Sequence, residues 1–295
     1  MTDPLLQCVL ARDSAEAALA WRAWRASTDI DSIQWRHALM VPMVREDLLQ
    51  TLIAGDEAAP ILNGLVRRAW TQGSMRAALA HELAHTLVAS GIGPVVIGGS
   101  VAAFLHRAGR GPIRPVTDIV LLVPRQRVHD ALRRMRDLKW VTAGRRLPPK
   151  SLSWTTHASM HRERETLRIG WRHVGTPPWR AIAAERELFA RPREVLPVES
   201  LMLSRLSEHG AWPDTVPWQA DVAVLASHPV DWDTVLREAG IWAPNALARL
   251  GELRGTVAAP PRHVPRPRAS WQVERALWRG ARAAILTAHR IIRLP

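Results

Sequence analysis

The sequence predicts a mostly helical α+β fold, with one small mixed sheet set between two helical regions. Three observations carry this. Apolar positions recur at three and four through the first 90 residues, "LLQCVLARDSAEAALAWRAW" and "ILNGLVRRAWTQGSMRAALAHELAHTLVAS" among them, which is helical spacing. From 91 to about 174 the pattern changes to short β-branched runs bounded by Gly and Pro, "GIGPVVIGGS" and "VTDIVLLVP". Helical spacing then returns from about 180.

In chain order, "TDIDSIQW" (28–35) offers Asp or Ser as the cap of a second helical stretch, "WRHALMVPMVREDLLQTLI". "VVIG" is a buried strand entering a tight turn, "SVAAFLHRA" restarts a helix, and "GRGPIRP" is a loop. "VTDIVLLVP" is the next strand. "RQRVHDALRRMRDL" follows as an amphipathic helix with Val128, Leu132, Met135 and Leu138 on one stripe. "ETLRIGWRHV" (165–174) reads as a third strand. "WRAIAAERELFA", "PVESLMLSRLSEHGAW", "WQADVAVLAS", "DWDTVLREAGI" and "NALARLGELRG" read as helices. "VAAPPRHVPRPRAS" (257–270) is an extended Pro-Arg linker. The boundaries drawn are 1–85 helical, 86–176 an α/β core, 177–255 helical, and 256–295 a linker with a basic amphipathic helix.

The chain has 295 residues, 47% of them apolar, ample for a sizeable core. No stretch approaches the roughly 20 apolar residues of a membrane span. The N-terminus does not resemble a signal peptide, and with a single cysteine, Cys8, no internal disulfide can form. A cytoplasmic protein is expected. The net charge of +13 is almost all arginine, the only lysines being Lys139 and Lys150. Residues 256–295 hold eight arginines against one acid, Glu274, so the excess is concentrated there. That argues against a nucleic-acid groove in the body. A helix over 270–293 would put Trp271, Trp278, Ile285 and Ile292 on one face and arginines off it. Such a helix suits a membrane surface, here the inner face, or an acidic protein partner; equally, it packs back on the body with its arginines solvated.

The chemistry-bearing residues cluster in the sheet region. Gly98-Gly99-Ser100 joins a strand to a helix, which can aim backbone N–H groups at a phosphate, although steric demands of a tight turn select the same residues. Asp118 is the one acid in the second strand, with Arg114 just before it as a phosphate counter-charge. A carboxylate beside a phosphate cradle makes sense with a bridging divalent cation.

This arrangement resembles the nucleotidyltransferase superfamily. More closely, it is similar to the bacterial nucleotidyltransferase-like family found beside peptide natural-product (including lasso-peptide) and cell-surface polysaccharide genes. The likeness spans roughly 1–255, through "DSIQWRHALMVPMV", "GIGPVVIGGSVAAFLH", "IRPVTDIVLLVP", "LRIGWRHV", "PVESLMLSRLSEHG", "WQADVAVLA" and "DWDTVLREAG" in order. It implies a nucleotidyltransferase core, Mg²⁺ and NTP as cofactors, and a peptide or saccharide acceptor. Asp118 would be the catalytic and metal-holding acid, and Gly98, Gly99, Ser100 and Arg114 would hold the nucleotide. The pattern departs at two further acids: Val120 stands at one, and on the later strand the positions ahead of Trp171 are Arg168 and Gly170. Strand alternation points Glu165 away from Arg168, so only a bulge or a shifted strand lets it substitute. One acid of three permits two readings. Arg168 takes the place of a metal and holds triphosphate with little turnover, or Asp118 is a structural residue paired with Arg114 or Arg168. On family likeness the chain is a nucleotidyl transferase; on its residues it is a degenerate one that binds nucleotide or precursor peptide as an accessory.

Three other features belong to the background. "HELAH" (81–85) matches a zinc-protease pattern but lacks a third ligand at a useful spacing, so it reads as surface histidines. His157 and His161 have i, i+4 spacing without supporting ligands and read as polar surface. Asp221, inside "WQADVAVLA", would face inward and needs a buried partner, which favours a structural pair over a wall of the site.

Overall fold

The structure, a computed structural model, describes residues 3–107, 111–142, 157–171, 188–190, 192–206, 216–242, 246 and 249–250. The expected linker and tail helix, and most of the helices expected over 179–190 and 245–255, lie outside them.

The N-terminal region is helical as expected. α1 (Pro4–Leu10) is capped by Asp3, whose carboxylate accepts from the Leu5 and Leu6 amides, and Pro4 takes the first-turn place where no N–H is needed. α2 (Ser14–Ala26) is capped by Asp13, which accepts from Glu16 N at 2.9 Å. The single helix expected over 35–53 is two: α3 (Trp35–Met40) and α4 (Glu46–Ala54), separated by a 3₁₀ turn at Val41–Met43. Pro42 is the physical reason, since its ring and missing N–H interrupt the ladder. The expected Asp/Ser cap before α3 is also corrected. Asp29 instead closes a turn on Asp31 N and Ser32 Oγ, and Gln34 precedes the helix without a side-chain cap. α5 (Ala59–Ala89) runs 31 residues and ends at Gly91, whose φ of +72° lets Ile92 N bond back to Leu87 O at 2.9 Å.

The sheet has five strands in the order β1-β2-β5-β4-β3. β1 (Val96–Gly98) pairs antiparallel with β2 (Ile119–Leu122), and β2 pairs parallel with β5 (Glu165–Gly170). β4 (His157–Arg162) and β3 (Val141–Thr142) extend it antiparallel. The sequence reading missed β4, whose histidines and arginines mask an alternation in which only Ala158 and Met160 face the core. α6 (Gly99–His106) leaves β1, and α7 (Val128–Asp137) follows β2 through a 3₁₀ turn. On the C-terminal side lie α8 (Val198–Leu206), α9 (Trp218–Ala226) and α10 (Trp232–Trp242).

Alternation splits the sheet into two unlike faces. Ile97, Ile119, Leu121, Leu167 and Ile169 join α5 and α7 in an apolar core, with Trp140 and Trp171. The other face presents Val96, Val120 and Leu122 to α6 and to the C-terminal helices. A third core belongs to α1–α4 and the start of α5, and it takes in Val216, Ala220 and Val224 around α9. The two helical regions therefore share a core, and α9 bridges that core to the second sheet face.

Candidate functional site

Asp118 sits one residue before β2 and shares a face with Val120, which is the register partner of Arg168 on β5. The strand pairing therefore carries Arg168 to the carboxylate. Arg168 Nε lies 2.9 Å from Asp118 Oδ2, an ion pair rather than an aligned hydrogen bond. Ser100, wholly buried in the first turn of α6, lies with its hydroxyl 3.2 Å from Asp118 Oδ1 and 3.3 Å from the Asp118 carbonyl, positioned to donate to them. The same hydroxyl accepts from Thr117 N at 3.4 Å. Asp118 is 2% exposed. Of the two structural partners the sequence offered it, Arg168 forms an ion pair with it, and Arg114 lies near enough to feel its charge.

Arg114, expected near phosphate, is engaged elsewhere. It donates from Nε to Asp221 Oδ1 at 2.8 Å, and both side chains are buried. Arg205 on α8 packs its Nη2 against Asp221 Oδ2. Asp221 is thus a structural anchor that ties the loop before β2 to α8 and α9. Burial pulls the Arg114 guanidinium down to about 10, opposed by the nearby Asp118 carboxylate, so it stays cationic at neutral pH. Sequence reasoning missed Arg205, the arginine inside the apolar run "LMLSRL"; a cation in a helix turn whose neighbours are all buried is the signal that could have found it.

Gly98 and Gly99 make the expected strand-to-helix turn. Gly99 has φ +68°, open to glycine at little cost, and the turn is buried with Ser100 beneath the neighbouring chain. A Cβ on Gly98 would meet Val120 and Leu122 at 3.5 Å, an ordinary van der Waals contact, so the packing on β2 does not itself demand glycine there. Glu165 behaves as alternation demands. It lies on the opposite side and accepts from Arg76 Nε of α5 at 2.7 Å, so it does not supply a second acid beside Asp118.

His157, expected on a polar surface, is corrected. It is partly buried on β4, where desolvation first and the Arg168 charge second pull its pKa to about 4, with Asp118 opposing. His161 is exposed, as expected. In "HELAH", His81 Nδ1 lies 2.6 Å from Glu194 Oε1 and His85 is exposed. Among the described residues no group of three or more His, Cys, Asp or Glu is placed to hold a metal ion.

The donor set around Asp118 suits a guanidinium. Mg²⁺ takes near-octahedral oxygen ligands, whereas here one carboxylate is shared between a serine hydroxyl and an arginine. A cation at Asp118 would have to displace Arg168. Gly98, Gly99, Ser100, Arg114, Asp118 and Arg168 are brought into one region, where the side chains of Ser100, Arg114, Asp118 and Arg168 each engage protein groups.

No protein-family model, curated protein or solved structure matches this chain. Its class is therefore defined by its own architecture: a mostly helical α+β protein with one five-stranded mixed sheet.

Proposed function

We propose that this protein is a nucleotidyltransferase-like protein that works without nucleotidyl transfer, as an accessory or adaptor in a biosynthetic pathway. The buried Asp118–Arg168 ion pair carries the reading. Two-metal phosphoryl transfer needs several carboxylates to hold cations and orient the acceptor. In this chain Val120 and Arg168 stand where the resemblance places two of them, and the third is neutralised. The strand, Gly-Gly turn, helix and acid-bearing strand support the family likeness. The commitment of Arg114 to Asp221 and of Ser100 to Asp118 supports loss of the phosphate cradle. No helix among the described residues is long and apolar enough to cross a membrane, and we place the protein in the cytoplasm.

The test is thermal unfolding of the wild type and Asp118→Ala with ATP, GTP, CTP and UTP, each with and without Mg²⁺. A ligand at about 100 times its dissociation constant adds about 2.7 kcal/mol. The expected result is no Mg²⁺-dependent shift in either protein. A shift in the wild type that Asp118→Ala erases would restore the enzyme reading, with Mg²⁺ and NTP as its cofactors and a peptide or saccharide as its acceptor.

A further inference from the structure

Away from the sheet, a half-open cavity of about 240 Å³ lies between α4, α5 and the segment 111–113. Its walls are apolar: Leu49 from α4, Val66 and Trp70 from α5, and Ile113 opposite. Ile113 N donates to Pro42 O at 2.7 Å, which fixes the far wall to the 3₁₀ turn. Trp70 is 51% exposed, so part of its indole stays open to solvent beside the cavity. Sites for drug-sized ligands run about 300–1,000 Å³, so this one is sized for a single large side chain rather than for a whole nucleotide.

Its charge selects the ligand further. Two guanidiniums, Arg67 and Arg107, and one carboxylate, Glu46, line it. Arg107 Nη2 stands 3.6 Å from Glu46 Oε2 and its Nε donates to Gly111 O at 2.9 Å, so these two charges offset one another. Arg67 is exposed and forms no ion pair with any described residue. One positive charge is left over at the rim of an apolar pocket.

We propose that this cavity is a peptide-anchoring site that takes one aromatic side chain together with a neighbouring carboxylate. The ring packs between Leu49, Val66 and Trp70, and the carboxylate meets Arg67. Trp faces and Arg groups are the residue types that dominate such anchors. The inference stands on the cavity alone and is independent of whether Asp118 supports turnover, although it gives an accessory protein a place to hold a peptide.

The test uses the full chain and four capped dipeptides: acetyl-Phe-Asp-amide, acetyl-Phe-Asn-amide, acetyl-Phe-Lys-amide and acetyl-Gly-Asp-amide. Dissociation constants are read by saturation-transfer NMR titration. The expected order puts Phe-Asp about two- to fivefold tighter than Phe-Asn, the range of an exposed ion pair, with Gly-Asp weakest. Arg67→Glu should reverse the preference toward Phe-Lys, and Trp70→Ala should weaken every Phe ligand. Both positions are exposed, and an unchanged unfolding temperature confirms that each variant is folded. Equal binding of Phe-Asp and Phe-Asn, a wild-type preference for Phe-Lys (Glu46 then ruling the pocket), or no binding of any probe overturns the proposal.

Discussion

If Asp118 is held for its ion pair, its removal must cost what an orphaned buried guanidinium costs. Asp118→Asn keeps the shape and leaves an amide oxygen for Ser100, but it takes the Asp118 charge away from Arg168. The Arg168 side chain is 14% exposed and Asp118 is 3% exposed. Removing one partner of a buried pair costs about 3–5 kcal/mol. The residual exposure of Arg168 lets water reach it, which sets the expectation near the lower end, about 3 kcal/mol. Against a total stability of about 5–15 kcal/mol, that is a large fraction. Arg168→Met should lose a similar amount, since it strands the carboxylate. The double variant Asp118→Val with Arg168→Met removes both charges and should fall within about 1–2 kcal/mol of the wild type, as apolar replacement of a whole pair usually does. The assay is urea unfolding. At a slope of about 1–3 kcal/mol per molar, a 3 kcal/mol loss moves the midpoint by about 1–3 M. Single variants that are additive, or an Asp118→Asn that is neutral or stabilising, would refute the reasoning. Such a result would mark Asp118 as a residue whose charge the fold tolerates for chemistry.

Two further expectations concern the same sheet. His157 has a pKa near 4 in the folded chain against an ordinary 6.5. Between those values the unfolded chain binds the proton and the folded one does not, so stability is present above about pH 6.5 and is lost as pH falls toward 4. At about 1.4 kcal/mol per pH unit the loss is at most about 3–4 kcal/mol. His157→Gln should flatten that limb of a pH-dependent urea series, and an unchanged limb would exclude His157 as its source. Where α5 packs on α6, a Cβ at Gly73 would overlap the Phe104 ring. Gly73→Ala should destabilise by about 1–2 kcal/mol in a thermal melt, overpacking outweighing the gain in helix propensity. A more stable variant would show that the ring gives way.

How far the sequence could be read depended on which groups solvent and pairing had claimed. Spacing of 3.6 residues located α5 and α7, which each bury one stripe, and short β-branched runs bounded by Gly and Pro located β1 and β2, which bury both faces. Strand alternation correctly sent Glu165 away from Arg168. β4 was illegible because four of its six residues are His, Ser or Arg, three of which (His157, Ser159 and His161) share the face of Arg168 and carry no hydrophobic period. The split of α3 from α4 was written in Pro42, but the apolar run on both sides concealed it. In the candidate site, Asp118 and its face could be read directly. The pairing with Arg168 could not: it follows from the β2–β5 register, which no local pattern shows. Asp221 was marked as needing a partner, and two arginines from distant segments met it, a convergence that depends on tertiary packing alone.

If Val120 and Arg168 stand in place of acids, as the proposed reading has it, their presence lets such a sheet stay folded without a cation. Val120 and Arg168 are register partners on adjacent strands about 4.8 Å apart, and Asp118 shares their face. Three carboxylates there would repel one another, drive some of their pKa values upward, and make folding depend on a bound metal. One carboxylate and one guanidinium are neutral together, so the face closes by itself. The converse can be built. In the variant Val120→Asp with Arg168→Asp, the chain should unfold at a lower temperature than the wild type in EDTA, and added Mg²⁺ should raise it again. Wild-type unfolding should not respond to either. If Mg²⁺ leaves the variant unchanged while circular dichroism shows it folded, the three positions do not converge on one cation. The proposed nucleotidyltransferase-like reading of this face would then lose its geometric basis.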